Sequence, residues 1–150
     1  MKNAKKKGFT LVELLVVIAI LAILASVSVV GYTAFIDKAN ESNARTELTQ
    51  IRDFINAKFL PSNAFEVEAN GQTYTITKNN GALQITKQGE TGTVQGDVSA
   101  IFHAIEDLAS LDDSSTFSLS DDGKVLTYTL GKTQATWNVA DGTIETTTIN

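Results

Sequence analysis

The chain of 150 residues contains no cysteine, one proline, one tryptophan, one methionine and one histidine. Without cysteine, no disulfide can brace a small domain, so packing and hydrogen bonds alone must hold it. A single histidine with no cysteine leaves no ligand set for a zinc site. No G-x-S-x-G stretch and no acid–histidine pair supports a nucleophile, and no phosphate-loop lysine or G-x-G-x-x-G follows any strand pattern. The sequence therefore points away from an enzyme and calls for no cofactor. Basic residues are also few: twelve Lys and Arg against seventeen Asp and Glu, a net charge of −5. Four of those lysines, at 2, 5, 6 and 7, sit in the first eight residues, and the remainder carries a net charge of −9. No basic patch follows, so charge does not indicate nucleic acid.

What the chain does have is one long apolar run. From Lys5 to Ile36 it reads KKKGFTLVELLVVIAILAILASVSVVGYTAFI, and the eighteen residues from Leu14 to Gly31 carry no charge. As helix these eighteen residues cover about 27 Å, enough to be read as a membrane segment. The run has no polar face that a small domain could turn outward. It must lie in lipid or against other copies of itself. The lysines on its N-terminal side predict a cytoplasmic N-terminus. Glu13 lies inside the run, one turn after Thr10. A charged carboxylate at depth costs about 2.5 kcal/mol or more, so a partner is expected. An ordinary cleaved secretory signal fits less well, because Glu13 would sit in its apolar region and the run is too long, although Ser26 and Ser28 offer a small-residue pair. A plain uncleaved anchor is the other simple reading.

The helix is expected to continue past Ile36. Ala44, Leu48, Ile51, Ile55 and Phe59 mark one helical face, with Arg45, Glu47, Gln50, Arg52, Asp53 and Lys58 between them. Pro61 ends the run. A helix from Thr10 to Leu60 spans about 76 Å. Gly31, after the β-branched Val29 and Val30, is the expected point of flexibility.

Beyond Pro61 the period falls to two. Phe65, Val67 and Ala69 alternate with glutamates, Asn70-Gly71 is a strong hairpin signal, and Thr73–Thr77 forms the return strand. Asn79-Asn80-Gly81 turns again into Leu83–Ile85. Gly89–Gly96 reads as a glycine-rich connection. Asp97 is placed to cap a second helix with Val98, Ile101, Phe102, Ile105 and Leu108 on its apolar face, ending near Ser110. Strands follow at Phe117–Leu119, Val125–Leu130, Gln134–Val139 and Thr143–Ile149. Gly131-Lys132 is a less typical tight turn than Asp141-Gly142. The expected class is α+β: a long N-terminal α-helical spine packed on an antiparallel β-sheet head, with one short additional helix and Trp137, Tyr128 and Phe117 in the core. The expected organisation is a leader over 1–8, a membrane and filament-core helix over 9–36, and a head over 37–150. His103 on the short helix reads as structural. The pairs Asp112-Asp113 and Asp121-Asp122 lack the spacing of a calcium loop and read as solvated turns. Asn40-Glu41-Ser42 is formally a glycosylation sequon within helix.

Gly8-Phe9-Thr10-Leu11-Val12-Glu13, behind a basic leader and ahead of the apolar run, resembles the N-terminus of type IV pilins and pilin-like proteins. The resemblance covers residues 5–36; the rest is similar only in architecture. It implies cleavage by a membrane prepilin peptidase between Gly8 and Phe9, N-methylation of the new terminus at Phe9, and a role for Phe9 and Glu13 in subunit assembly. It further implies a homo-oligomeric helical filament, built with minor pilins by an inner-membrane platform and a separate assembly ATPase. The precursor would be a single-pass cytoplasmic-membrane protein and the product an extracellular pilus for adhesion, motility or DNA uptake. A pseudopilin or minor pilin of a type II secretion or competence system carries the same signals. A membrane-anchored binding module that never polymerises is the third reading. Two departures stand out. Many members have a proline where this chain has Val29-Val30-Gly31, so glycine-dependent bending is expected instead of a proline kink. Members with cysteines often pin a C-terminal loop with a disulfide, and here the last strand must be held by its hydrogen bonds.

Overall fold

The computed structural model describes residues 8–105, 111 and 114–149, with backbone alone at 28–30. The chain divides at Ile36/Asp37 into two units. Helix α1 runs from Leu11 to Phe59. In the first unit its described apolar side chains are exposed, among them Leu11 at 78% and Phe35 at 69%. Helix α1 is long and apolar enough to cross a membrane.

In the second unit α1 becomes amphipathic. Ala44, Leu48, Ile51 and Ile55 are fully buried, as their spacing predicts, while Phe59 at the helix end is only partly so. This face packs against two antiparallel sheets. The first has the order β1-β2-β3, from β1 (Ala64–Ala69), β2 (Gln72–Asn79) and β3 (Ala82–Lys87). The second has the order β4-β5-β6-β7-β8, from β4 (Gly96–Asp97), β5 (Thr116–Leu119), β6 (Val125–Leu130), β7 (Thr133–Asn138) and β8 (Ile144–Thr148). Helix α2 (Ser99–His103) lies between β4 and β5 in sequence.

The expected antiparallel head is thus divided into two sheets. Their division has a local cause. After β3 the chain adds no further strand to this sheet. The Gly89–Gly96 stretch instead folds back along β3 through a Thr86–Thr93 bridge, with the Val94 amide donating to the Ile85 carbonyl at 2.6 Å. The outer edge of β3 is covered there rather than extended. Gly96 and Asp97 then pair with Leu119 and Ser118 and start the second sheet.

The sheets meet through turns. The Leu83 amide donates to the Gly123 carbonyl at 2.8 Å. Gly123 is buried with φ +70°, and a Cβ there would lie 2.1 Å from the Leu83 carbonyl oxygen, so only glycine fits. Inside, Phe102 stacks on Phe117 at 5.1 Å and Phe117 meets Tyr128 edge-on at 5.2 Å, beside the fully buried Trp137. Polar contacts tie α1 to the second sheet: Tyr128 donates its phenol to Glu47, and Thr146 donates its hydroxyl to Glu41 at 2.7 Å.

Local features depart from the sequence reading in three more places. Val98, not Asp97, occupies the N-cap position of α2. Asp97 still serves the helix from one residue earlier, accepting from the Ser99 amide at 3.0 Å and from its hydroxyl. Gly131-Lys132 forms the tight two-residue loop, closed by the Leu130–Thr133 pair with Gly131 at φ +58°, as a glycine in the first central position allows. Asp141-Gly142 belongs to a longer connection between Asn138 and Ile144. Helix α2 also stops short of the expected end near Ser110: Ala104 is its C-cap, and Ile105, though buried, lies beyond it. Leu108, Ser110 and Asp112-Asp113 lie outside the described residues, as do the lysines at 2, 5, 6 and 7.

Candidate processing and assembly site

The N-terminal site is built from the first turn of α1. Thr10 directly precedes Leu11, the first helical residue, and its carbonyl accepts the Leu14 amide at 3.3 Å. The first amides of any helix lack partners within it, and a side-chain acceptor at the preceding residue supplies one. Here the Glu13 amide donates to Thr10 Oγ1 at 3.3 Å. In return the Thr10 amide donates to Glu13 Oε2 at 2.7 Å, and the Thr10 hydroxyl donates to the same oxygen at 2.9 Å. This is a reciprocal capping box, Thr-x-x-Glu. The carboxylate also sits at the positive end of the helix dipole.

The partner that Glu13 calls for is therefore first found within its own chain. Both Thr10 donors converge on one carboxylate oxygen. Thr10 itself is not among the residues that the sequence reading assigns to this site. The signal that could have found it is the Thr-x-x-Glu spacing ahead of an apolar run.

Phe9 stands immediately before the box and is 88% exposed. Gly8 precedes it, and a Cβ added at Gly8 would meet nothing within 4 Å. Among the described residues, no packing requires glycine at that position. Gly8, Phe9 and Glu13 thus lie at one end of α1. Gly31 lies within the same helix, twenty residues from Leu11. A Cβ at Gly31 would likewise meet nothing within 4 Å. Ser26 donates its hydroxyl to the Ile23 carbonyl at 2.8 Å, a back-bond of the kind that loosens or bends helices.

Elsewhere, His103 and Asp122 are occupied locally. His103 Nε2 lies 3.0 Å from the hydroxyl of buried Ser115, with its ring edge-on to Phe117. Asp122 accepts from the Ser120 hydroxyl at 2.8 Å and the Lys124 amide at 3.1 Å, closing its own turn. Among the described residues, no three His, Cys, Asp or Glu side chains gather into a metal site.

Residues 3–29 match the prokaryotic N-terminal methylation motif. No curated protein and no solved structure matches the chain. The matched segment holds Lys5, Lys6 and Lys7, Gly8, Phe9, the Thr10–Glu13 box and the apolar run up to Val29. These residues carry an N-terminal methylation motif, a class III signal peptide typical of type IV pilins and pseudopilins, ahead of a long helix packed on antiparallel sheets.

Proposed function

We propose that this protein is a structural subunit that polymerises through its apolar N-terminal helix into a type IV pilus. A prepilin peptidase would cut between Gly8 and Phe9 and methylate Phe9. The cut turns a neutral peptide bond into an ammonium group. In a filament, the Phe9 ammonium of one subunit would pair with Glu13 of a neighbour. Such a pair returns little net energy once both groups are desolvated. Its larger effect is to set the axial stagger, since an unmatched carboxylate in an apolar bundle is heavily penalised.

The observation that carries this reading is the apolar helix headed by Glu13, whose described side chains are left exposed by the described residues of the subunit. The Thr10–Glu13 box lies wholly on the C-terminal side of the proposed cut, so it survives processing. Both Thr10 donors use Oε2, which leaves Oε1 of the same carboxylate to take the neighbour's ammonium. The subunit would wait in the cytoplasmic membrane, with its N-terminus cytoplasmic, and leave it for the filament core. The drive for that exchange would come from a membrane platform and a separate ATPase, with minor pilins at initiation. Adhesion, motility and DNA uptake are the roles such a filament serves.

The test is the cell-surface fraction released by shear. Long filaments built from this chain support the pilus reading. Retention in the envelope, with only short assemblies, would reassign it as a pseudopilin or minor pilin. A monomer that keeps residues 1–8 would make it a membrane-anchored binding module and overturn both.

A further inference from the structure

The head contains the same dipeptide, Asn-Gly, at the tips of two consecutive hairpins. Asn70-Gly71 links β1 to β2, closed by the Ala69–Gln72 pair, and Asn80-Gly81 links β2 to β3, closed by Asn79–Ala82. Their φ angles nearly coincide: +52° and +71° in the first turn, +49° and +74° in the second. Both asparagines are exposed and both occupy the left-handed region, which is costly for a residue with a Cβ. The surroundings differ. Nothing lies within 4 Å of the Cβ position at Gly71. At Gly81 that position is 2.9 Å from the Ala140 Cβ and 3.0 Å from its Cα, so the second turn is seated against the β7–β8 connection. Two residues on, the Leu83 amide is held by the Gly123 carbonyl.

We propose that Asn70 is a site of spontaneous deamidation in the folded protein, and that packing on Gly81 protects the chemically equivalent Asn80. The nitrogen of Gly71, once it loses its proton to solvent base, attacks Cγ of Asn70. The N–Cγ bond forms, the Cγ–Nδ2 bond breaks, and ammonia leaves. The resulting five-membered imide is opened by water at either carbonyl, giving aspartate or isoaspartate. Glycine favours this step because no side chain obstructs its nitrogen. The remaining barrier is local: a tight turn must open before nitrogen and Cγ reach attack geometry, and turns without tertiary contacts open most readily. The tip of β1–β2 meets that condition. The β2–β3 tip must first part from Ala140. The product carries a new negative charge two residues from Glu68. The isoaspartate form also adds a methylene to the backbone of a turn whose length sets the β1–β2 register.

The experiment is incubation of the full-length protein, folded in detergent micelles, in mildly alkaline buffer, followed by peptide mass mapping of both sites. Asn70 is expected to convert about tenfold faster than Asn80, or more. In concentrated denaturant the two rates should converge, because glycine follows both residues. Ala140→Gly should raise the folded-state rate at Asn80 while leaving Asn70 unchanged. Equal rates in the folded protein, a faster Asn80, or the same bias in folded and denatured protein would overturn the proposal.

Discussion

Glu13 and Thr10 each complete the other's hydrogen bonding: Glu13 Oε2 takes the Thr10 amide at 2.7 Å and its hydroxyl at 2.9 Å, while Thr10 Oγ1 takes the Glu13 amide at 3.3 Å. The acid that looks out of place in an apolar helix thus has a local structural role before any neighbour arrives. Capping and charge can be separated by mutation. Glu13→Gln keeps an acceptor in the box but removes the charge, and Thr10→Ala keeps the charge but removes the cap. Glu13→Gln should leave helix onset intact, as read by amide exchange at residues 11–14, and sharply reduce filament yield. Thr10→Ala should destabilise the first turn by about 1 kcal/mol and speed exchange there. Wild-type filament yield and subunit spacing in Glu13→Gln would contradict the role assigned to charge, and unchanged exchange in Thr10→Ala would contradict the cap.

Among the described residues Gly8 meets no packing demand, since a side chain there meets nothing within 4 Å. Differences in processing among Gly8 variants should therefore report on entry into the peptidase. Gly8→Ala is expected to be cut more efficiently than Gly8→Val. Accumulation of the two precursors, followed by immunoblot, checks this; equal processing would count against a small-residue requirement.

Gly123 tests the junction between the two sheets. Its φ of +70° and the Leu83 carbonyl oxygen 2.1 Å from a Cβ position both forbid a side chain. Gly123→Ala should destabilise the head by about 2 kcal/mol or more. Gly71→Ala, with a similar φ but open space, should cost about 1–2 kcal/mol from conformation alone. Denaturant melts of the two variants measure the difference, and equal losses would show that the Leu83 contact does not constrain the fold.

Three aspartates predict the acid limb of the stability curve. Asp97 is held below the usual aspartate range by the Ser99 hydroxyl and amide, Asp122 by the Ser120 hydroxyl and the Lys124 amide, and Asp141 by the Thr143 amide and hydroxyl. Each binds its proton less tightly folded than unfolded. Their contribution is therefore present above the unfolded aspartate pKa of about 3.9 and is lost as pH falls through the lower folded values. The thermal midpoint should fall below about pH 4. Replacing all three by asparagine should flatten that fall. An acid limb unchanged in the triple variant would show that other carboxylates set it.

Much of this fold is legible in the sequence because strong periodicity leaves few alternatives. Ala44, Leu48, Ile51 and Ile55 can face one way only on a helix, and all four are buried. Asn70-Gly71 marks its hairpin because both positions take positive φ. The strand Thr133–Asn138 alternates between Ala135 or Trp137 inside and Thr136 or Asn138 outside, which fixes its face. The division into two sheets is not legible, because it depends on where Gly89–Gly96 folds back, and a two-residue strand at Gly96–Asp97 has no period to detect. Dipeptide preference ranks Asp141-Gly142 above Gly131-Lys132 because it ignores how many residues the strands leave between them. At the N-terminus Glu13 stands out by being anomalous, a charge in an apolar run. The capping role of Thr10 is hidden by the membrane-like character of the helix it starts.

Intact mass and N-terminal sequence of the protein purified from its native cells test the central claim most directly. The account predicts a chain that begins at N-methylated Phe9 and lacks residues 1–8. A chain that begins at Met1, or one cut near Ser26 with the apolar helix removed, would contradict it.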